Sequence, residues 1–222
     1  VTGATGILGR VIVLELLKRG KTVRATKRKS SNLQEVRKSF QFYTETPNEY
    51  FDSIEWIEVD FEDIHSLQNA LNGVEEVYHC AAKVSFHPKD EKKMYQTNIE
   101  GTKQLLFACQ NSSVKKFLFV SSIAVLDGLN ENGELDESSD FNPKIDHSSY
   151  AISKHFSEME VWRASAEGLN TVIVNPGIII GSGNWKESSG TLFKELGENA
   201  YTFSGGTSYV DVRDVAQISI EL

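Results

Sequence analysis

Tyr150-Ala-Ile-Ser-Lys154 is the segment best equipped for chemistry. Side chains four residues apart share one face of a helix, so the phenol and the ammonium project together. A phenol with a pKa near 10 is a poor acid or base at neutral pH. A neighbouring ammonium stabilises the phenolate and brings that pKa down. The pair can then exchange a proton with a carbonyl or alcohol oxygen while hydride moves at the adjacent carbon. Upstream, the apolar run Phe117 to Ser121 ends in Ser121-Ser122.

A hydride carrier needs a cradle, and Thr2-Gly-Ala-Thr-Gly-Ile-Leu-Gly9 offers one, with glycines at 3, 6 and 9. Such a turn lets a diphosphate approach the backbone and aims a helix N-terminus at the anion. Arg10 to Arg19 follows with apolar residues at helical spacing and stops at Gly20, the context that gives a glycine triplet meaning. An NAD site usually places an acid about 20 residues beyond the first glycine. Here Val23 to Ser31 contains none and holds Arg24, Lys27, Arg28 and Lys29 instead. Cations suit a 2′-phosphate, with arginine the better fork. NADP(H) is favoured, with NAD(H) the alternative. Arg28 is the first choice for the phosphate contact, with Lys27, Lys29 and Ser30 beside it.

These groups need a frame. Strands at Thr22–Thr26, Ile54–Val59, Glu76–Ala81, Phe117–Ser121 and Thr171–Val174 alternate with helical stretches at Leu33–Phe40, Ser66–Leu71, about Lys93–Gln110 and Tyr150–Ala166. That alternation predicts an α/β, doubly wound Rossmann fold with a parallel sheet. Val1 leads straight into the glycine turn, so the first strand is truncated. Residues 1–174 are expected to form the dinucleotide-binding domain. Residues 175–222, where regular alternation gives way to glycine-rich sequence, form a junction and an incomplete substrate-binding region.

The wide glycine spacing TGxxGxxG, the YxxxK helix and the serine-bearing strand together resemble the extended short-chain dehydrogenase/reductase family, within the NAD-dependent epimerase/dehydratase superfamily. The likeness runs nearly the whole chain. It implies Ser122, Tyr150 and Lys154 as the catalytic set, with Asn98 of Tyr-Gln-Thr-Asn-Ile-Glu-Gly organising a proton relay. For the cofactor it implies Gly3, Thr5, Gly6, Ile7, Leu8 and Gly9 in the turn, and Asp60-Phe61 on the adenine side. It adds Ala81, Ala82 and Lys83 after the fourth strand, Lys154 on the nicotinamide ribose, and Pro176-Gly177 near the carboxamide. Asn175-Pro-Gly-Ile-Ile-Ile-Gly181 and the Val-Arg-Ala-Thr strand look more like dihydroflavonol reductases and 3β-hydroxysteroid dehydrogenases. Nucleotide-sugar epimerases commonly carry Tyr-Gly after the serine strand and glycine after the catalytic tyrosine; this chain has Leu126-Asp127 and Ala151. The implied activity is interconversion of a ketone and a secondary alcohol. A nucleotide-sugar epimerase or dehydratase is the alternative, and a non-catalytic NADP(H)-binding regulator the second. Members commonly pair through the YxxxK helix, so a homodimer is admitted.

Composition narrows the field further. A formal net charge of −8 argues against nucleic acid. No apolar run reaches the roughly 18–20 residues of a membrane span. Two cysteines, Cys80 and Cys109, read as core thiols in a reducing cytoplasm. His65, His79, His87, His147 and His155 lack metal-ligand spacing; His79 reads as packed core, and His87 as a candidate substrate contact. The substrate, a small carbonyl or alcohol, is expected among Lys83–Pro88, Leu126–Ser149 and Gly181–Ser208, where Phe86, Trp185 and Tyr201 suggest an aromatic or apolar ligand.

Overall fold

The computed structural model describes residues 1–85, 87–182, 197–198 and 207–222. The chain divides into two units, one of Val1–Asp60, Tyr78–Ala81 and Gly177–Leu222, the other of Phe61–Val77 and Ala82–Pro176. The boundary crosses the strand Glu76–His79.

In the first unit, helix α1 (Ile7–Lys18) opens directly on Gly6 and buries Leu8, Val11, Ile12 and Leu14. It packs against the last helix, α8 (Val212–Glu221), whose N-cap Asp211 accepts from the Arg213 amide. Strands β1 (Arg24–Lys27) and β2 (Glu55–Glu58) pair in parallel, Arg24 opposite Glu55. Val1 and Thr2 lie between β1 and the end of β3 (Glu76–His79): Thr26 N donates to Val1 O at 2.9 Å, and Thr2 N donates to Tyr78 O at 2.9 Å. Thr2 thus does the work of the short first strand. Helix α2 (Leu33–Phe40) is capped by Asn32, and α3 (Pro47–Asp52) starts on a proline, which suits a first helical turn. Phe51 packs T-shaped on Phe40 and tilted on Trp56. A parallel pair, β6 (Ile178–Ile180) and β7 (Tyr209–Asp211), completes the unit.

In the second unit β4 (Lys116–Val120) and β5 (Thr171–Val174) run parallel, Phe117 opposite Thr171, in a sheet ordered β3-β4-β5. Phe117, Leu118 and Phe119 are at most 1% exposed. Successive residues point to opposite faces, so this strand is covered on both, as parallel strands usually are. Each such side chain contributes about 2–3 kcal/mol on burial. Helices α4 (Ile64–Ala70), α6 (Gly101–Gln110) and α7 (Ser149–Ala166) pack in series within this unit, α4 on α6 and α6 on α7.

The fold is therefore the expected Rossmann-type α/β arrangement with parallel strands, with three local differences. The helix expected over Lys93–Gln110 is broken into α5 (Glu91–Tyr95), a π-helical turn (Gln96–Glu100) and α6. Helix α3 fills a stretch that carries no apolar periodicity. Strand β3 ends at His79 rather than Ala81, one residue before Cys80 N makes the last ladder bond to Thr2 O at 3.3 Å. Cys109 is buried on α6, where desolvation pushes its thiol up to about 12.

Candidate active site

The glycine turn is built from collisions that only glycine avoids. Gly3 has φ +63°, and a Cβ there would lie 2.6 Å from Ala81 N. A Cβ at Gly9 would strike the Gly3 carbonyl oxygen. Gly6 N closes the turn on Gly3 O at 2.8 Å. Thr2 pins the end of β3 to it: its hydroxyl pairs with His79 Nδ1 at 2.6 Å and accepts from Ala81 N at 3.2 Å. His79 is thus the packed core residue read from its position, 2% exposed. Thr5, Ile7 and Leu8 complete the turn, and Ile7 opens α1. Bare backbone at a strand end, followed by a helix N-terminus, fits the diphosphate of NAD(P).

Beyond β1, Arg28 N donates to Ser31 Oγ and Ser31 N returns to Arg28 O, both at 3.0 Å, forming a tight turn. The Arg28 side chain is exposed. Lys27 is engaged, its ammonium 3.6 Å from Glu58 across the strand pair, as Arg24 is with Glu55 at 3.0 Å. Cross-strand pairing therefore draws Lys27 toward β2, while Arg28 stays in solvent. Asp60 is an exposed residue just past β2. Tyr43 Oη, further along this unit, accepts from Ser182 N at 2.8 Å. A Cβ at Gly177 would sit 2.5 Å from Ser208 O, so the junction glycine is also sterically required.

The second unit gathers the groups that the sequence marks as candidates for proton transfer. Helix α7 is capped by Ser148, whose hydroxyl accepts from Ala151 N. This sets Tyr150 in the first turn and Lys154 one turn on. Tyr150 and Ser122 are hydrogen-bonded through their side chains; burial pushes the phenol above its ordinary value of 10.0, and the Ser122 bond works against that rise. Ser122 also accepts from Ala124 N at 3.2 Å, which fixes the hydroxyl at the end of β4. Ser121 is buried without a partner for its hydroxyl among the described residues, its amide tied to Val174 O. Lys154 is 3% exposed; its ammonium donates to Val120 O at 2.7 Å and lies 4.6 Å from the Phe119 ring centroid.

Asn98 occupies the π-turn. Its side chain accepts from Lys83 N at 2.7 Å and donates to Lys83 O at 3.0 Å and to Ser153 Oγ at 2.9 Å. One amide thereby clamps the loop after β3 to α7 between Tyr150 and Lys154. Ser157, one turn further on α7, donates toward Asn98 O at 2.9 Å, which gives that carbonyl of the π-turn a side-chain partner. Lys83 itself reaches Asp90 at 3.0 Å. Phe61 packs on Gly101, where an added Cβ would be 3.4 Å from its ring. His87 caps the short Pro88–Asp90 turn through Lys89 N. His147 and His155 stack on Phe141 at 4.1 and 3.9 Å between centroids.

Several members of this arrangement escape a reading of the sequence alone. Asn175 donates to Glu158 at 2.7 Å and to Ser122 O at 3.3 Å, tying the junction to the serine strand. Glu158 continues the i, i+4 stripe of Tyr150 and Lys154, which was the available signal. Thr2 and Ser153 lie inside the motifs but have no spacing rule to mark them. Phe86, Trp185 and Tyr201 lie outside the described residues.

A parallel α/β frame with a glycine turn opening α1 defines a dinucleotide-binding Rossmann protein. Residues 1–221 match the NAD dependent epimerase/dehydratase family, and the chain belongs to that family. It is 30% identical to sterol demethylase protein B of Methylococcus capsulatus over 99% of this chain and 64% of that protein. It is 31% identical to a putative dihydroflavonol 4-reductase of Synechocystis over 97% of this chain and 60% of that one. The chain thus spans less than two thirds of either relative. Cinnamoyl-CoA reductase 1 of Petunia hybrida is 30% identical over the whole chain and 67% of its own length. Among solved structures, UDP-N-acetylglucosamine 4-epimerase from Methanobrevibacter ruminantium superposes with a TM-score of 0.78, at 27% identity over 99% of this chain and 70% of its own.

Proposed function

We propose that the protein is an NADP(H)-dependent reductase that interconverts a ketone and a secondary alcohol. The observation that carries this reading is the Ser122–Tyr150 hydrogen bond on a helix that also presents Lys154. The bound cofactor supplies or accepts hydride. Ser122 holds the substrate oxygen, and Tyr150 Oη gives it a proton as the carbonyl is reduced, or takes one in the reverse direction. A phenol kept protonated by burial is prepared for the donating role. Lys154, its ammonium held by Val120 O, bonds the nicotinamide ribose. Asn98 keeps the loop of Lys83 in place. The glycine turn binds the diphosphate, Asp60-Phe61 and Ala81-Ala82 receive the adenine side, Pro176-Gly177 meet the carboxamide, and Arg28 contacts the 2′-phosphate.

Relatives named dihydroflavonol 4-reductase and cinnamoyl-CoA reductase support net reduction with an aromatic substrate. The structural likeness to a UDP-sugar epimerase supports a second reading, in which hydride is removed and returned within one turnover. A homodimer is proposed through α6 and α7, whose outer faces expose Phe107, Phe156, Met159 and Trp162. No helix among the described residues is long and apolar enough to cross a membrane.

The deciding experiment follows NADPH and NADH consumption with parallel panels of aryl and aliphatic ketones and UDP- or dTDP-sugars. Ketone-dependent oxidation of NADPH is the expected result. Conversion of a sugar nucleotide without net cofactor loss, and silence on ketones, would transfer the assignment to the epimerase reading.

A further inference from the structure

Arg10 follows the last glycine of the turn and is the one cation among the buried residues of α1. It is 3% exposed. A charge withdrawn from water is costly unless paired and hydrogen-bonded. Its guanidinium answers that cost in an unusual place. Nε donates to Gly6 O at 3.1 Å, and Nη2 donates to Thr5 O and to Glu35 Oε1, the latter at 3.0 Å. Nη1 finds no partner among the described residues. With a single, partly exposed carboxylate opposite it, the cation leaves positive potential beside the turn.

The two carbonyls matter because each belongs to a planar trans peptide, whose N–H points away from its C=O. Holding Thr5 O fixes the peptide whose N–H, on Gly6, closes the turn on Gly3 O. Holding Gly6 O fixes the peptide whose N–H, on Ile7, belongs to the open first turn of α1. Glu35 carries the restraint further. It sits in the first turn of α2, its amide bonded to the N-cap Asn32, directly after the Arg28–Ser31 turn.

We propose that Arg10 is a positioning residue for the cofactor. It holds the diphosphate turn directly and, through Glu35, sets the segment that carries Arg28. One buried cation thus couples affinity for the diphosphate, shared by both nicotinamide cofactors, to preference for the 2′-phosphate of NADP(H). The inference rests on the cofactor reading above and deepens it.

The test is equilibrium binding rather than turnover. NADPH and NADH are titrated by calorimetry against the unmodified protein, Arg10→Met, Arg10→Lys and Glu35→Gln, with thermal unfolding recorded for each. Arg10→Met is expected to weaken both cofactors by about tenfold or more and to a similar extent. Lysine should recover part of that loss, since it keeps the charge but not the fork. Glu35→Gln should weaken NADPH by at least about threefold more than NADH, in line with the loss of one charged hydrogen bond. A purely structural effect would move stability without moving that ratio. Arg10→Met binding both cofactors within about twofold of the unmodified protein would overturn the clamp, and equal losses in Glu35→Gln would overturn the link to Arg28. Should Arg10→Met fail to fold, the ratio in Glu35→Gln decides. Failure of the unmodified protein to bind either cofactor would overturn the cofactor reading itself.

Discussion

At Tyr150, burial and hydrogen bonding act in opposite senses, and burial is the larger. The raised phenol pKa has a consequence for stability. The folded state prefers the neutral phenol, so its share of stability is intact below the unfolded value of about 10 and is lost as pH rises through the higher folded value. Tyr150→Phe should therefore lose less stability than the unmodified protein between about pH 9 and about pH 11, measured by urea unfolding. The same variant should lose at least about 100-fold in turnover while binding cofactor nearly normally. Near-normal turnover would remove Tyr150 from proton transfer. Tyr150, Lys154 and the glycines are visible in the sequence because the proposed chemistry fixes their spacing. Arg10 is not: a cation opening an amphipathic helix reads as a solvated end, and only the fold shows that its neighbours are carbonyls.

At the scale of elements, the π-turn is the part least visible beforehand. Lys93 to Gln110 keeps helical spacing throughout, and nothing local distinguishes a widened turn from a regular one. What selects it is tertiary: Asn98 must reach Lys83 and Ser153 at once, and π-turns often occur where a helix serves a site. Asn98→Asp keeps the shape but replaces two donated hydrogen bonds with a buried carboxylate. It should destabilise the protein by about 2–3 kcal/mol in denaturant titrations. It should also lower kcat more than cofactor affinity. Unchanged stability and kcat would mean the turn forms without the amide. Helix α3 was illegible for a simpler reason, since its six residues start on Pro47 and bury only Phe51. Strand β4, by contrast, is legible because burial on both faces demands an unbroken apolar run, Phe117 to Val120.

For the whole molecule, the exposed row Phe156, Met159 and Trp162 on α7 marks the surface proposed for pairing. Trp162→Glu should shift sedimentation from dimer to monomer with the far-ultraviolet circular dichroism preserved. An unmodified protein that already sediments as a monomer would contradict the proposed dimer. Helix α7 has 18 residues, a rod of about 27 Å. It bears Tyr150, the proposed proton donor, at one end, buried packing along one side and an oily strip along another. In a pair, two such rods would brace each other. If that pairing supports the helix that carries Tyr150, dilution would remove the support, and the proposed turnover per subunit would fall as the protein is diluted.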